Sequence, residues 1–210
     1  MWAVLDPDER ARARQFRRPR DSRRFVAARS LVRDGLSRHC CDVAPEGWHF
    51  RRAPGRRPEL AATHETDVRF SVSRTDDLVA VIVTNGIECG IDAETIRPLA
   101  DLDDLAGVVL ADSERTSLAR LSDARARLAA FFDSWTVKEA YGKAVGKGLD
   151  IPLRQIVVNR VGNRATLDGE LDGGADDWDV SIQDISHNER LALVVRCPED
   201  LALKAHVSWV

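Results

Sequence analysis

The chain has 210 residues, 44% of them hydrophobic and 31% charged, with a formal net charge of −3. That is enough apolar material for a core, in one large domain or two of roughly 100 residues each. No apolar run approaches the roughly 20 residues that span a bilayer, and the opening MWAVLDPDER has early acids and no basic stretch ahead of an apolar one, so neither a membrane anchor nor a secretory signal is expected. Residues 1–60 carry 15 Arg against 8 Asp and Glu, a net of +7, which leaves −10 for the remainder. Eight of those arginines lie between Arg10 and Arg24. Such a run is a solvated helical face, a nucleic-acid surface, or a site for a phosphate-rich molecule or an acidic protein.

In chain order, helical patterning covers about 7–18 and 21–38, where Phe25, Leu31, Val32 and Leu36 form an apolar stripe. Adjacent Cys40 and Cys41, with Cys89 and Cys197 isolated, give neither CxxC spacing nor a disulfide frame, which points to a reduced cytoplasm without structural zinc. A loop follows around Gly55, Arg56, Arg57 and Pro58. Segments 68–73, 78–83 and 87–94 read as strands, with Asn85-Gly86 as a turn. Helices are predicted at about 101–109, 112–121 and 124–146, the last closed by Gly146 and Gly148. Strand character returns near 155–160, 177–184, 190–196 and 204–209. Each half thus runs from helices to strands, an α+β pattern with a joint near 96–103.

Two groups of residues carry chemistry. In Gly90-Ile91-Asp92-Ala93-Glu94 a strand would place both carboxylates on one face, about 6–7 Å apart. That spacing suits a hard divalent cation, or equally two solvated acids at a strand end. In the helix through 124–146, Trp135, Glu139 and Lys143 stand at i, i+4 and i+8 and share a face. Glu139 and Lys143 suit a surface ion pair, but a tryptophan on their stripe marks a partly buried face. A metal and a phosphate would explain a carboxylate and an ammonium there. The five histidines stand in no catalytic context.

GIDAE at 90–94, followed by WTVKEAYGKAVGKGL at 135–149, resembles the signature pair of the 4′-phosphopantetheinyl transferases. The second block fills Trp135, Lys138, Glu139, Lys143, Gly146, Gly148 and Leu149. The length is similar to the monomeric surfactin-synthetase-activating branch. Weaker likeness extends to Arg23-Arg24-Phe25, Arg29-Ser30, Arg57-Pro58, Phe70 to Ser73, and Glu114.

The resemblance implies a pseudo-twofold monomer of two similar α+β lobes, here 1–98 and 99–210, with the active site in the cleft between them. It implies transfer of the phosphopantetheine arm of coenzyme A to a serine of an apo acyl or peptidyl carrier protein, releasing 3′,5′-ADP. Asp92, Glu94 and Glu139 would hold Mg²⁺, with Mn²⁺ as an alternative. Lys143 and Lys138 would neutralise the phosphates, and Asp92, Glu139 and Lys143 would be catalytic. Arg23, Arg29, Arg57, Ser73 and Arg74 would hold the 3′-phosphoadenosine end. The family usually has Ser-His where this chain has Ser73-Arg74, which keeps a cation but loses proton chemistry there. Either Glu139 or a metal-held water would serve as general base. Nucleic acid is disfavoured, since no aromatic ladder accompanies the arginines and the remainder is acidic.

Overall fold

Asp6 starts the first helix. Its carboxylate accepts the Glu9 backbone N–H at 2.8 Å while the Glu9 side chain accepts the Asp6 N–H at 3.2 Å, a reciprocal cap on α1 (Pro7–Gln15). The computed structural model describes residues 1–51 and 59–197. The expected loop around Gly55–Pro58, Arg57 within it, and the strand at 204–209 lie outside the described residues. Next, α2 (Pro19–His39) buries Phe25, Val26, Val32 and Leu36. Two short strands, β1 (Phe50–Arg51) and β2 (Glu59–Leu60), pair antiparallel. A hairpin follows, β3 (Val68–Arg74) against β4 (Val79–Asn85), in register from Val68↔Asn85 to Arg74↔Val79.

After β5 (Cys89–Thr95) come α3 (Leu102–Val109), α4 (Asp112–Ala119) and α5 (Ala124–Ala144). The chain then adds β6 (Ile156–Val161), β7 (Arg164–Gly169), β8 (Trp178–Ser186) and β9 (Glu189–Arg196). These strands form a five-stranded sheet ordered β5-β9-β8-β7-β6, all of its pairs antiparallel. Strand β7 is an addition to the sequence reading. Only Ala165 and Leu167 point inward from it, too few apolar residues to announce a strand.

The architecture is α+β. α2 lies on β3 and β4 around Val32, Leu36, Trp48, Val68 and Phe70, and α5 lies on the five-stranded sheet around Val137, Ile156, Leu167, Ile182 and Val194. Both helices are 21 residues long, so each lobe sets one long helix against an antiparallel sheet. β5 is the meeting point. One edge pairs with β9, from Cys89↔Val195 to Thr95↔Glu189. Its other edge faces β3 without a backbone ladder. Instead Ser71 Oγ accepts the Ile91 N–H at 3.2 Å and Ser73 Oγ accepts the Ala93 N–H at 3.0 Å.

Gly90 lets α5 sit this close to β5, and Gly142 lets the turn after α5 fold back against the helix. A Cβ on Gly90 would stand 1.8 Å from the Ala140 carbonyl oxygen, and one on Gly142 2.2 Å from that of Gly148. The helix ends at Ala144, two residues short of the predicted end, and Gly146 and Gly148 turn the chain at φ +74° and +57°. The Gly148 N–H then donates to Gly142 O at 2.9 Å. Gly90→Ala should therefore cost about 3 kcal/mol, because the clash is with backbone that no rotamer can move. Urea denaturation would read this as a lower midpoint. An unchanged midpoint would mean that α5 stands further from β5.

Candidate active site

Alternation along β5 puts Asp92 and Glu94 on the face that α5 covers. The helix runs opposite to the strand. Trp135 Nε1 donates to Glu94 Oε1 at 2.8 Å, and Lys143 Nζ donates to Asp92 Oδ1 at 2.6 Å and to Ile91 O at 3.1 Å. Eight helical residues rise about 12 Å while two strand residues advance about 7 Å. The two long side chains therefore lean inward from the ends of the stripe, and Glu139 lies between them. The structure thus brings together Asp92, Glu94, Glu139 and Lys143.

Electrostatics tie the three carboxyls into one group. Burial raises the Asp92 pKa, against the lowering pull of Lys143 and the Ser73 hydroxyl. Burial also raises Glu94, opposed by the Trp135 hydrogen bond and reinforced by the Asp92 charge. Glu139 is raised by burial first and then by Asp92, with Lys143 opposing and Glu94 adding. Negative charge is crowded where water is scarce. Asp92 Oδ2 is buried with no hydrogen-bond partner, although Oδ1 has two. No three His, Cys, Asp or Glu side chains among the described residues already converge as ligands on one point. The donor chemistry nevertheless fits a hard divalent cation: oxygen ligands only, mutually repelling, with one buried oxygen unpartnered.

Several expected binding residues stand elsewhere. Lys138 does not reach the site. It is fully buried, and its ammonium donates to Val109 O and Leu153 O, each at 2.9 Å, and to Glu114 Oε2 at 2.6 Å. Burial lowers its pKa while Glu114 raises it. Glu114 also accepts the N–H groups of Ala111 at 2.7 Å and Val158 at 3.1 Å, so the pair ties α4, α5 and β6 together. Ser73 stands beside the carboxylates. Its hydroxyl donates to Asp92 Oδ1 at 2.8 Å while accepting from Ala93.

Arg29 is held by Glu9 at 3.3 Å and lies over the rings of Phe25 and Phe50. Arg23 and Arg74 are exposed. Arg24 bonds to Asp21, Asp76 and Thr75 O, which brings this end of α2 up to the β3–β4 turn beside Arg74. Sequence reasoning also missed Arg33. It is fully buried, bonding Glu9 Oε2 at 2.9 Å and the Trp48 carbonyl at 2.7 Å. Its signal was the capping pair Asp6 and Glu9, whose carboxylates it needs. A separate cleft lined by Arg69, Glu88, Asp177 and Arg196 is bridged by its own ion pairs and includes none of the three carboxylates.

Two family models divide the chain. One described as "4'-phosphopantetheinyl transferase superfamily" matches residues 88–195, from β5 to β9. Another, "4'-phosphopantetheinyl transferase, N-terminal", matches residues 1–85. The chain belongs to the 4′-phosphopantetheinyl transferase superfamily. It is similar to a putative 4′-phosphopantetheinyl transferase of Synechocystis sp., 30% identical over 74% of this chain and 62% of that one. It is also similar to the 4′-phosphopantetheinyl transferase HetI of Nostoc sp., 35% identical over 70% of this chain and 62% of that one. The chain thus matches 62% of the length of these relatives. A solved holo-(acyl-carrier-protein) synthase of Bacillus anthracis in complex with CoA aligns over 52% of this chain and 96% of that one, at 26% identity and a TM-score of 0.43. The superfamily match covers the whole carboxylate face, β5 and α5 together.

Proposed function

We propose that this chain transfers the 4′-phosphopantetheine moiety of coenzyme A to a serine hydroxyl of an apo acyl or peptidyl carrier protein, releasing 3′,5′-ADP. The observation that carries this reading is the carboxylate face itself. Asp92, buried, and Glu94, half-buried, on β5 stand with half-buried Glu139 on α5 beside Lys143, within a member of this superfamily. Asp92, Glu94 and Glu139 would hold Mg²⁺, or Mn²⁺ in its place. When bound, the cation would offset the charge that builds on the departing 5′-phosphate of 3′,5′-ADP.

The chain's own residues then have separate tasks. Lys143, one-quarter exposed, presents a second positive charge beside the carboxylates. The serine oxygen forms a bond to the β-phosphorus as the bond to 3′,5′-ADP breaks, and the serine proton must leave. Glu139, with its carboxyl raised, is suited to take it. Arg23, Arg74 and Arg57 would meet the 3′-phosphoadenosine end from the N-terminal lobe. The lobes would divide as 1–98, bearing those contacts and the first two carboxylates, and 99–210, bearing α5. The protein would act as a cytoplasmic monomer. No helix among the described residues is long and apolar enough to cross a membrane.

The test is direct. Purified protein is incubated with coenzyme A, Mg²⁺ and a panel of apo carrier proteins from fatty-acid, polyketide and peptide-synthetase systems, and each carrier is weighed by mass spectrometry. At least one should gain phosphopantetheine in an EDTA-sensitive way. A panel left wholly unmodified would overturn the reading.

A further inference from the structure

The seam between β3 and β5 is made of two serine hydroxyls where backbone pairing would be expected. Ser71 and Ser73 alternate onto the same face of β3 and are 5% and 7% exposed. Each accepts one N–H from β5. A hydroxyl has one proton to donate. Because the Ser73 oxygen accepts from Ala93, its proton is left to point at Asp92 Oδ1. Lys143 donates to that same oxygen. Both donors thus take Oδ1, and Oδ2 remains buried and unpartnered.

We infer that Ser73 is a positioning residue that fixes which oxygen of Asp92 faces the divalent cation. The inference rests on the metal reading above and deepens it. Ser73 takes up one end of the carboxylate, blocks its rotation about the Cβ–Cγ bond, and links the ligand to the N-terminal lobe. Groups of this kind, one bond removed from a metal, typically change metal affinity by about 10–100-fold when deleted. Ser71 supplies a built-in control. It makes the same contact to the same strand, two residues away, but has no hydrogen bond to a carboxylate.

Mn²⁺ is the probe, titrated into the full chain without coenzyme A and followed by the EPR signal of free Mn²⁺. Ser73→Ala should weaken Mn²⁺ binding about 10–100-fold. Ser71→Ala should lower the thermal midpoint about as much as Ser73→Ala does, yet leave Mn²⁺ binding within about twofold, since it leaves the ligands untouched. Ser73→Cys keeps the size of the side chain with a weaker donor, so it should fall between wild type and alanine. Weaker Mn²⁺ binding by Ser73→Cys than by wild type tests the idea even if Ser73→Ala does not fold. Equal losses of affinity in the two alanine variants would overturn the inference, because the seam as a whole would then be responsible. So would a Ser73→Ala protein, or a Ser73→Cys protein, that binds Mn²⁺ as wild type does. Asp92→Ala separates the two levels of the argument. If it abolishes Mn²⁺ binding while Ser73→Ala does not weaken it, only the role of Ser73 is lost. If Asp92→Ala binds normally, the metal assignment fails and the inference with it.

Discussion

Glu139→Gln should reduce transfer to the carrier by about 10³-fold and yet make the metal-free protein more heat-stable. Both results follow from the same crowding. The Glu139 carboxyl is half-buried and is raised by burial and by the charges of Asp92 and Glu94. A carboxyl raised in the folded state binds its proton more tightly there than in the unfolded chain. Its contribution to stability is therefore fully present below the ordinary glutamate range and is lost as pH rises through the raised value. Glutamine carries no charge to repel its neighbours. The thermal midpoint of Glu139→Gln should accordingly exceed that of wild type by a margin that opens as pH rises from about 4.5, the ordinary value. Mg²⁺ should close the margin by stabilising wild type more than the variant. Scanning fluorimetry from pH 4.5 to 8, with and without Mg²⁺, reads both effects. A variant that is active, or one whose midpoint margin ignores pH and Mg²⁺, would remove Glu139 from the site.

What the sequence made legible here was whatever depended on local period. The i, i+4, i+8 stripe of Trp135, Glu139 and Lys143 and the i, i+2 pair Asp92 and Glu94 each lie within one element. Helix and strand geometry alone set their common faces. The meeting of those faces is tertiary, but Gly90 hinted at it, since a glycine inside a strand often marks close backbone approach. The contact of Ser73 with Asp92 was hidden for the opposite reason. Asp92 is 19 residues away on a strand that β3 does not pair with, so nothing local assigns the contact. Arg33 was hidden by its neighbours. In a run of exposed arginines one more looks like a solvated residue, and only the fold shows that Glu9, Asp6 and two carbonyls enclose it.

Lys138 is the sharpest divergence, and it carries the last prediction. From sequence a lysine one residue before Glu139 reads as a phosphate ligand. In a helix, adjacent residues point about 100° apart, so a face that presents Glu139 to β5 turns Lys138 toward α4. There its charge is met by Glu114 at 2.6 Å, with the two side chains 0% and 7% exposed. Lys138→Met removes the cation but leaves a buried carboxylate and two carbonyls, Val109 O and Leu153 O, without their donor. Breaking one side of a buried pair costs about 3–5 kcal/mol, and urea denaturation should find a loss of that order. The double variant Lys138→Met/Glu114→Gln should be more stable than the sum of the single losses by about 1–3 kcal/mol, since no uncompensated charge remains. Kinetics separates this role from the one read in the sequence. Measured well below its melting temperature, Lys138→Met should keep the wild-type KM for coenzyme A within about twofold, whereas a lost phosphate contact of about 1.5–3 kcal/mol would raise KM more than tenfold. A large rise in KM with unaltered stability would return Lys138 to the phosphates, and α5 would have to turn on its axis to let it reach them.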